Sequence, residues 1–149
     1  MADMNGDGLA DIVTDRVGQQ VSYRMNLGRG RWSAEIEMAN RPEHLNGLNA
    51  FVDLNGDSLS DLVAIAGVEV RYALNLNGRA FGELTALARG DGLDLDIPEY
   101  LPNEVTVRFA DMNGSGSTDI VWISNQGQVR YLDLFAERPN LLGSLEGFI

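Results

Sequence analysis

An all-β chain of short antiparallel strands is predicted by three features of the sequence. A loop of alternating oxygen donors occurs three times: Asp3-Met4-Asn5-Gly6-Asp7-Gly8-Leu9-Ala10-Asp11, Asp53-Leu54-Asn55-Gly56-Asp57-Ser58-Leu59-Ser60-Asp61 and Asp111-Met112-Asn113-Gly114-Ser115-Gly116-Ser117-Thr118-Asp119. Apolar residues around these loops follow a period of two, with β-branched and aromatic side chains enriched, as half-buried strands require. Seventeen glycines against four prolines supply many tight turns.

The repeat extends beyond the loops. Each loop runs into an apolar pair: Ile12-Val13, Leu62-Val63 and Ile120-Val121. Val21-Ser22-Tyr23, Val70-Arg71-Tyr72 and Val129-Arg130-Tyr131 follow at matching offsets. In the first two units come Asn26-Leu27-Gly28 and Asn75-Leu76-Asn77-Gly78, and then the segments 32–39 and 81–88 correspond. Upstream of the loops, Val105-Thr106-Val107-Arg108-Phe109 alternates, and Asn49-Ala50-Phe51-Val52 is its shorter counterpart. Each unit therefore reads strand, acidic loop, strand, turn, strand, glycine turn, strand. Four short antiparallel strands recurring roughly every fifty residues describe a β-propeller blade. The expected units are 1–47, 48–103 and 104–149, with unit one lacking its first strand and unit three lacking a recognisable last one. A propeller closes with roughly 4–8 blades. Three units therefore predict part of a ring, or a ring completed by association of copies.

Composition fits this reading. The chain has 149 residues and is 44% hydrophobic, enough for one domain with a core. Its formal net charge of -11 would repel nucleic acid and anionic membranes and would attract cations. Every basic residue is arginine, and none cluster into a patch. Without cysteine there is no disulfide, thiolate site or thiol catalysis. No apolar signal region follows Met1, and no apolar run approaches the ~18 residues of a membrane span.

The loops predict calcium. Hard oxygen donors at alternate positions of a glycine-kinked loop can surround an ion that takes 6–8 oxygens in forgiving geometry. The expected ligands are Asp3, Asn5, Asp7, the Leu9 carbonyl and Asp11 in the first loop. In the second they are Asp53, Asn55, Asp57, the Leu59 carbonyl and Asp61. The third offers Asp111, Asn113, Ser115, Ser117 and Asp119. Ser115 replaces an aspartate there, so that site is expected to be the weakest. An EF-hand is excluded, because its position-12 glutamate is replaced by Thr14, Ala64 and Trp122. The alternative without ions is a set of Asx turns.

Catalysis finds little support. The one histidine, His44, sits in a loop between units without a cysteine or second histidine to serve it. The carboxylates are committed to the loops, so no enzyme is expected. Arg89-Gly90-Asp91 is explained by an acidic loop between units, and Asn113-Gly114-Ser115 overlaps a candidate ligand. Trp32, Phe81, Tyr23, Tyr72 and Tyr131 are candidate glycan-stacking platforms, but the tyrosines recur at one register, which favours packing between units.

The Asp-x-Asn-Gly-Asp-Gly-x-x-Asp-Ile-Val unit resembles the FG-GAP/VCBS repeat of integrin-like propellers. The stretch from Arg108 to Trp122, followed by Val129-Arg130-Tyr131-Leu132-Asp133-Leu134-Phe135 and Arg138-Pro139-Asn140-Leu141-Leu142, is similar to the B component of insecticidal toxin complexes and the related SpvB-type virulence proteins. The segment 23–32 resembles the recurring tyrosine, asparagine-leucine-glycine, aromatic signature of that group. The resemblance implies a bacterial propeller within a larger secreted protein, docking on a toxin translocation component. The ending Gly143 to Ile149 departs from that pattern. Two functions follow as expectations: a calcium-binding module for protein–protein assembly, with other blades or copies of the chain as partners, and alternatively a calcium-containing propeller lectin.

Overall fold

The structure, a computed structural model, describes residues 1–43, 46–88, 96–135 and 141–142. His44 and Arg89-Gly90-Asp91 lie outside the described residues.

Among the described residues there is no helix, and every sheet is antiparallel. The first sheet holds β1 (Ile12–Thr14), β2 (Ser22–Arg24) and β3 (Ile36–Glu37) in that order. The second holds β4 (Leu48–Val52), β5 (Asp61–Ala66), β6 (Glu69–Ala73) and β9 (Thr85–Ala88). Between β6 and β9, a ribbon of β7 (Asn75–Leu76) and β8 (Ala80–Phe81) loops out. The third holds β10 (Val105–Ala110), β11 (Asp119–Ser124), β12 (Val129–Leu132) and β13 (Leu141–Leu142). Each acidic loop joins the outer strand of a sheet to the next, or to Ala2 in the first unit, which bridges Asp11.

Registers repeat as well as order. Tyr23 opposes Val13, Tyr72 opposes Val63 and Tyr131 opposes Val121. The expected absence of a last strand in unit three is corrected by β13, which pairs Leu141 with Leu132 and Leu142 with Tyr131. The cue that marked this strand in the other units, an asparagine–glycine turn after the tyrosine strand, is replaced by Asp133-Leu134, so the sequence pattern hid it. The turn expected at Asn75 is itself a two-residue ribbon, reduced in unit one to a bridge between Asn26 and Trp32.

The core lies between neighbouring sheets. Met4, Val21, Tyr23 and Met38 of the first unit bury themselves with Leu62, Ala73 and Phe81 of the second. Leu54, Val63, Ile65 and Val70 of the second meet Ile120, Trp122 and Leu132 of the third, with Ile97 filling the same cluster. A short half-buried sheet is marginal alone and gains stability by burying its face on the next. The main chain joins the units too. Ala39 donates to the Arg79 carbonyl and accepts from Phe81, at 2.8 and 3.0 Å.

Candidate metal centre

The three loops share one hydrogen-bonding plan. In the first, Asp3 Oδ1 accepts the N–H groups of Gly6 and Asp7, and Oδ2 accepts that of Gly8 at 2.7 Å. Asp53 does the same for Gly56, Asp57 and Ser58, and Asp111 for Gly114, Ser115 and Gly116. These donors, Gly116 foremost, hold the Asp111 carboxyl below the usual carboxylate range. Curling the loop around one carboxylate requires left-handed backbone at its fourth and sixth positions. Glycine takes five of those six places and Ser58, at φ 73°, the remaining one.

Donors at positions one, three and five converge. The Asp7 N–H is shared by Asp3 Oδ1 and Asn5 Oδ1, each at 3.2 Å, while Asn5 Nδ2 donates to Asp7 Oδ2 at 3.0 Å. Asp53, Asn55 and Asp57 repeat this arrangement. Asp7 and Asp57 are exposed, and their Oδ1 atoms accept the N–H groups of Leu9 and Leu59. The chemistry of this donor set is that of a hard divalent cation.

The ninth-position aspartates stand elsewhere. Asp11, Asp61 and Asp119 are fully buried behind their loops. Asp11 accepts the N–H of Met4 at 2.9 Å on one oxygen and that of Asn26 at 2.9 Å on the other. Asp61 ties Leu54 and Asn75 in the same way, at 2.9 and 2.8 Å. Each therefore pins the loop entrance to the third strand's exit. Burial pushes the Asp61 carboxyl up to about 6, against the lowering effect of its two N–H donors. Each of the first two loops thus gathers two carboxylates and an amide on its outer side and keeps its third carboxylate inside. Among the described residues, no group of three Asp, Glu, His or Cys side chains gathers as metal ligands.

Asp133 is a residue that the sequence reading passed over. It lies just beyond β12, two residues after Tyr131, is buried, and accepts the Asn113 Nδ2 hydrogen bond at 2.8 Å. Its signal in the sequence was the alignment on the tyrosines, where a carboxylate stands in place of Met25 and Leu74.

The loops also stack on one another. Ser60 N–H donates to the Asp3 carbonyl at 2.8 Å, and Thr118 N–H donates to the Asp53 carbonyl at 2.9 Å. Asn75 Nδ2 adds bonds to the carbonyls of Met4 and Ser60, and the Tyr23 hydroxyl donates to the Gly78 carbonyl at 2.9 Å. Tyr23 and Tyr72 are thus contacts between units: Tyr72 meets Phe135 edge-on, with ring centroids 5.7 Å apart.

Fold and loops together define an all-β chain of tandem antiparallel sheets stacked through acidic loops. No family model matches the chain. A T-cell immunomodulatory protein homolog of Plasmodium falciparum (isolate 3D7) is 27% identical over 144 residues, covering 81% of this chain and 18% of that protein. A crystal structure of TcdB2-TccC3 aligns over 95% of the chain with a TM-score of 0.74 and 23% identity. The Photorhabdus luminescens Tc holotoxin pore aligns over 95% with a TM-score of 0.70 and 22% identity. An Agrocybe aegerita lectin that recognises non-reducing terminal N-acetylglucosamine aligns over 93% with a TM-score of 0.66 and 22% identity. These likenesses show an all-β fold of the kind found in toxin-complex chains. The chain spans 7% of the TcdB2-TccC3 chain, 6% of the holotoxin chain and 35% of the lectin.

Proposed function

We propose that the chain is a calcium-binding, non-catalytic segment of an FG-GAP/VCBS-type β-propeller, serving protein–protein assembly as part of a larger secreted protein. Its three sheets are three blades. The observation that carries this reading is the twice-repeated contact between loops, Asp3 with Ser60 and Asp53 with Thr118, which makes the acidic loops the joints between neighbouring blades. Similarity to chains of multi-component toxin complexes supports an assembly role.

Calcium would be held by Asp3, Asn5, Asp7 and the Leu9 carbonyl, and by Asp53, Asn55, Asp57 and the Leu59 carbonyl. It would neutralise carboxylates that now repel one another and would stiffen the joints. An ion bound only to the folded form adds about 2.7 kcal/mol at one hundred times Kd. Melting in EDTA and in millimolar calcium tests this, with a rise on the order of 5–10 °C expected for a domain of this size. Equal melting temperatures would refute the metal assignment. Magnesium should substitute poorly, because it demands a tighter octahedron.

A second reading, a propeller lectin, is favoured by the likeness to the N-acetylglucosamine-binding lectin and by a polar groove lined by Gln19, Gln20, Ser22, Glu35 and Glu37. Reproducible binding of the calcium-loaded chain on a glycan array would establish it over the assembly role; silence would leave assembly.

A further inference from the structure

The third unit moves a negative charge. Its loop has Ser115 where the other loops have an exposed aspartate, and Asp133, two residues after Tyr131, where they have Met25 and Leu74. Ser117 stands in place of Leu9 and Leu59. The carboxylate lost from the outer side of the loop thus reappears on its inner side, beside a buried hydroxyl.

Three polar side chains are consequently buried together: Asp119 fully, Asp133 at 2% exposure and Ser117 at 8%. Asp119 Oδ2 accepts the Met112 N–H at 2.8 Å, whereas its Oδ1 is buried and meets no donor among the described residues. In the other units that oxygen accepts the N–H of Asn26 or Asn75; in the third, the β11–β12 register, which pairs Ile120 with Leu132, brings Asp133 across from Asp119. Asp133 accepts from Asn113 Nδ2 at 2.8 Å, from Phe135 N–H at 3.1 Å and from Ser117 Oγ at 3.5 Å. Ser115 Oγ lies 2.8 Å from Ser117 Oγ. No arginine ion pair among the described residues reaches either carboxylate. Two buried carboxylates without a counter-charge are costly, since each loses hydration and repels the other.

We propose that the third unit holds a divalent cation of calcium's hard-oxygen class on the inner side of its loop, between Asp119, Asp133 and the hydroxyls of Ser117 and Ser115. Asn113, turned about its terminal bond, would offer its amide oxygen in place of its nitrogen. The site deepens the calcium reading of the loops but stands on different residues, because among the described residues neither other unit has a second buried carboxylate. It also reverses the expected ranking, in which the loss of the aspartate at position 115 made this unit the weakest binder.

Calcium titration calorimetry on the full chain tests this, using wild type, the Asp7→Ala/Asp57→Ala double variant, Asp133→Asn and the triple combination. The double variant should keep one calcium, Asp133→Asn should lose one relative to wild type, and the triple variant should bind none. In EDTA, Asp133→Asn should melt at or above the wild-type temperature, because it removes one of two like charges. A double variant that binds no calcium while wild type binds two would overturn this site and leave the loop reading standing. One calcium in wild type, kept by the double variant and lost with Asp133→Asn, would establish this site and defeat the loop reading. Full stoichiometry in Asp133→Asn, or no calcium in wild type, would overturn the proposal. Should Asp133→Asn not fold, Ser115→Asp decides: an added carboxylate should tighten this site, and an unchanged affinity counts against it.

Discussion

The backbone N–H of Thr118 donates to the carbonyl oxygen of Asp53 across 2.9 Å, so the first residue of one acidic loop is joined to the eighth residue of the next. Ser60 and Asp3 form the same pair one unit earlier. A loop that must present its carbonyl sideways to a neighbour needs its own entrance held rigid. The ninth-position aspartate does this.

The first prediction concerns that lock. Asp61→Ala would leave the buried N–H groups of Leu54 and Asn75 without acceptors. Each orphaned donor costs about 1–3 kcal/mol, so a loss of roughly 3 kcal/mol or more is expected in urea denaturation without calcium. Asp57→Ala, in contrast, should leave metal-free melting nearly unchanged and reduce calcium binding, since its side chain is exposed. Equal melting of the two metal-free variants would disprove the division of labour between the inner and outer carboxylates.

Much of this was legible in the sequence, and the reasons separate cleanly. Strand positions followed from the recurrence of Val21, Val70 and Val129, each within one residue of the start of a strand whose tyrosine faces an equivalent valine. The loop donors were legible because alternation along four residues is a local property. The inward turn of Asp11 and Asp61 was not, because their partners Asn26 and Asn75 lie 15 and 14 residues further along the chain. Ile97 follows the acidic segment of Asp91, Asp94 and Asp96 in the sequence, yet it is fully buried between the second and third sheets. Its charged surroundings in sequence say nothing about the cavity it fills. The contacts between loops use main-chain atoms, which no residue pattern reveals.

Ser58 should be improvable. At φ 73° it occupies left-handed backbone that its counterparts Gly8 and Gly116 occupy without a Cβ. The strain in such a residue is roughly 1–2 kcal/mol, offset in part by the added freedom glycine gives the unfolded chain. Ser58→Gly should therefore raise stability by about 0.5–1 kcal/mol, read as a higher denaturation midpoint with an unchanged slope. A lower midpoint would mean that the serine is held there by something other than the loop.

Gly78 should tolerate nothing larger. At φ 70°, an added Cβ would lie 2.6 Å from the Tyr23 hydroxyl oxygen and 2.9 Å from the Met4 carbonyl oxygen. Both atoms belong to the preceding unit, so Gly78→Ala should loosen the joint between units one and two. Tyr23→Phe removes only the hydroxyl that donates to the Gly78 carbonyl and should cost about 1 kcal/mol. Hydrogen exchange should show the alanine variant losing protection in β1 and β2 before the third sheet. Uniform loss across all three sheets would argue against separable joints.

The last prediction concerns the two outer faces of the stack. At the second loop position, Met4 and Leu54 are fully buried beneath the following unit, whereas Met112 is 37% exposed. At the tenth position, Leu62 and Ile120 are fully buried against the preceding unit, whereas Ile12 is 39% exposed. The two faces are the two halves of an interface that the chain already makes twice, so each fits the other. For the isolated chain the occupant expected, in the place neighbouring blades would take in a larger protein, is a second copy joined head to tail, the Met112 face of one meeting the Ile12 face of the next, a heterologous contact that closes if the rotation permits. Light scattering at micromolar concentration should return a mass above the 16.2 kDa of one chain, rising with concentration. Ile12→Asp and Met112→Asp should each shift that mass toward the monomer, because either change puts a charge into an apolar contact. Mixing the two variants should restore a single joint, since each retains one intact face, and dimers should then dominate over larger species. A wild-type chain that stays at 16.2 kDa across the concentration range would refute self-association through these faces.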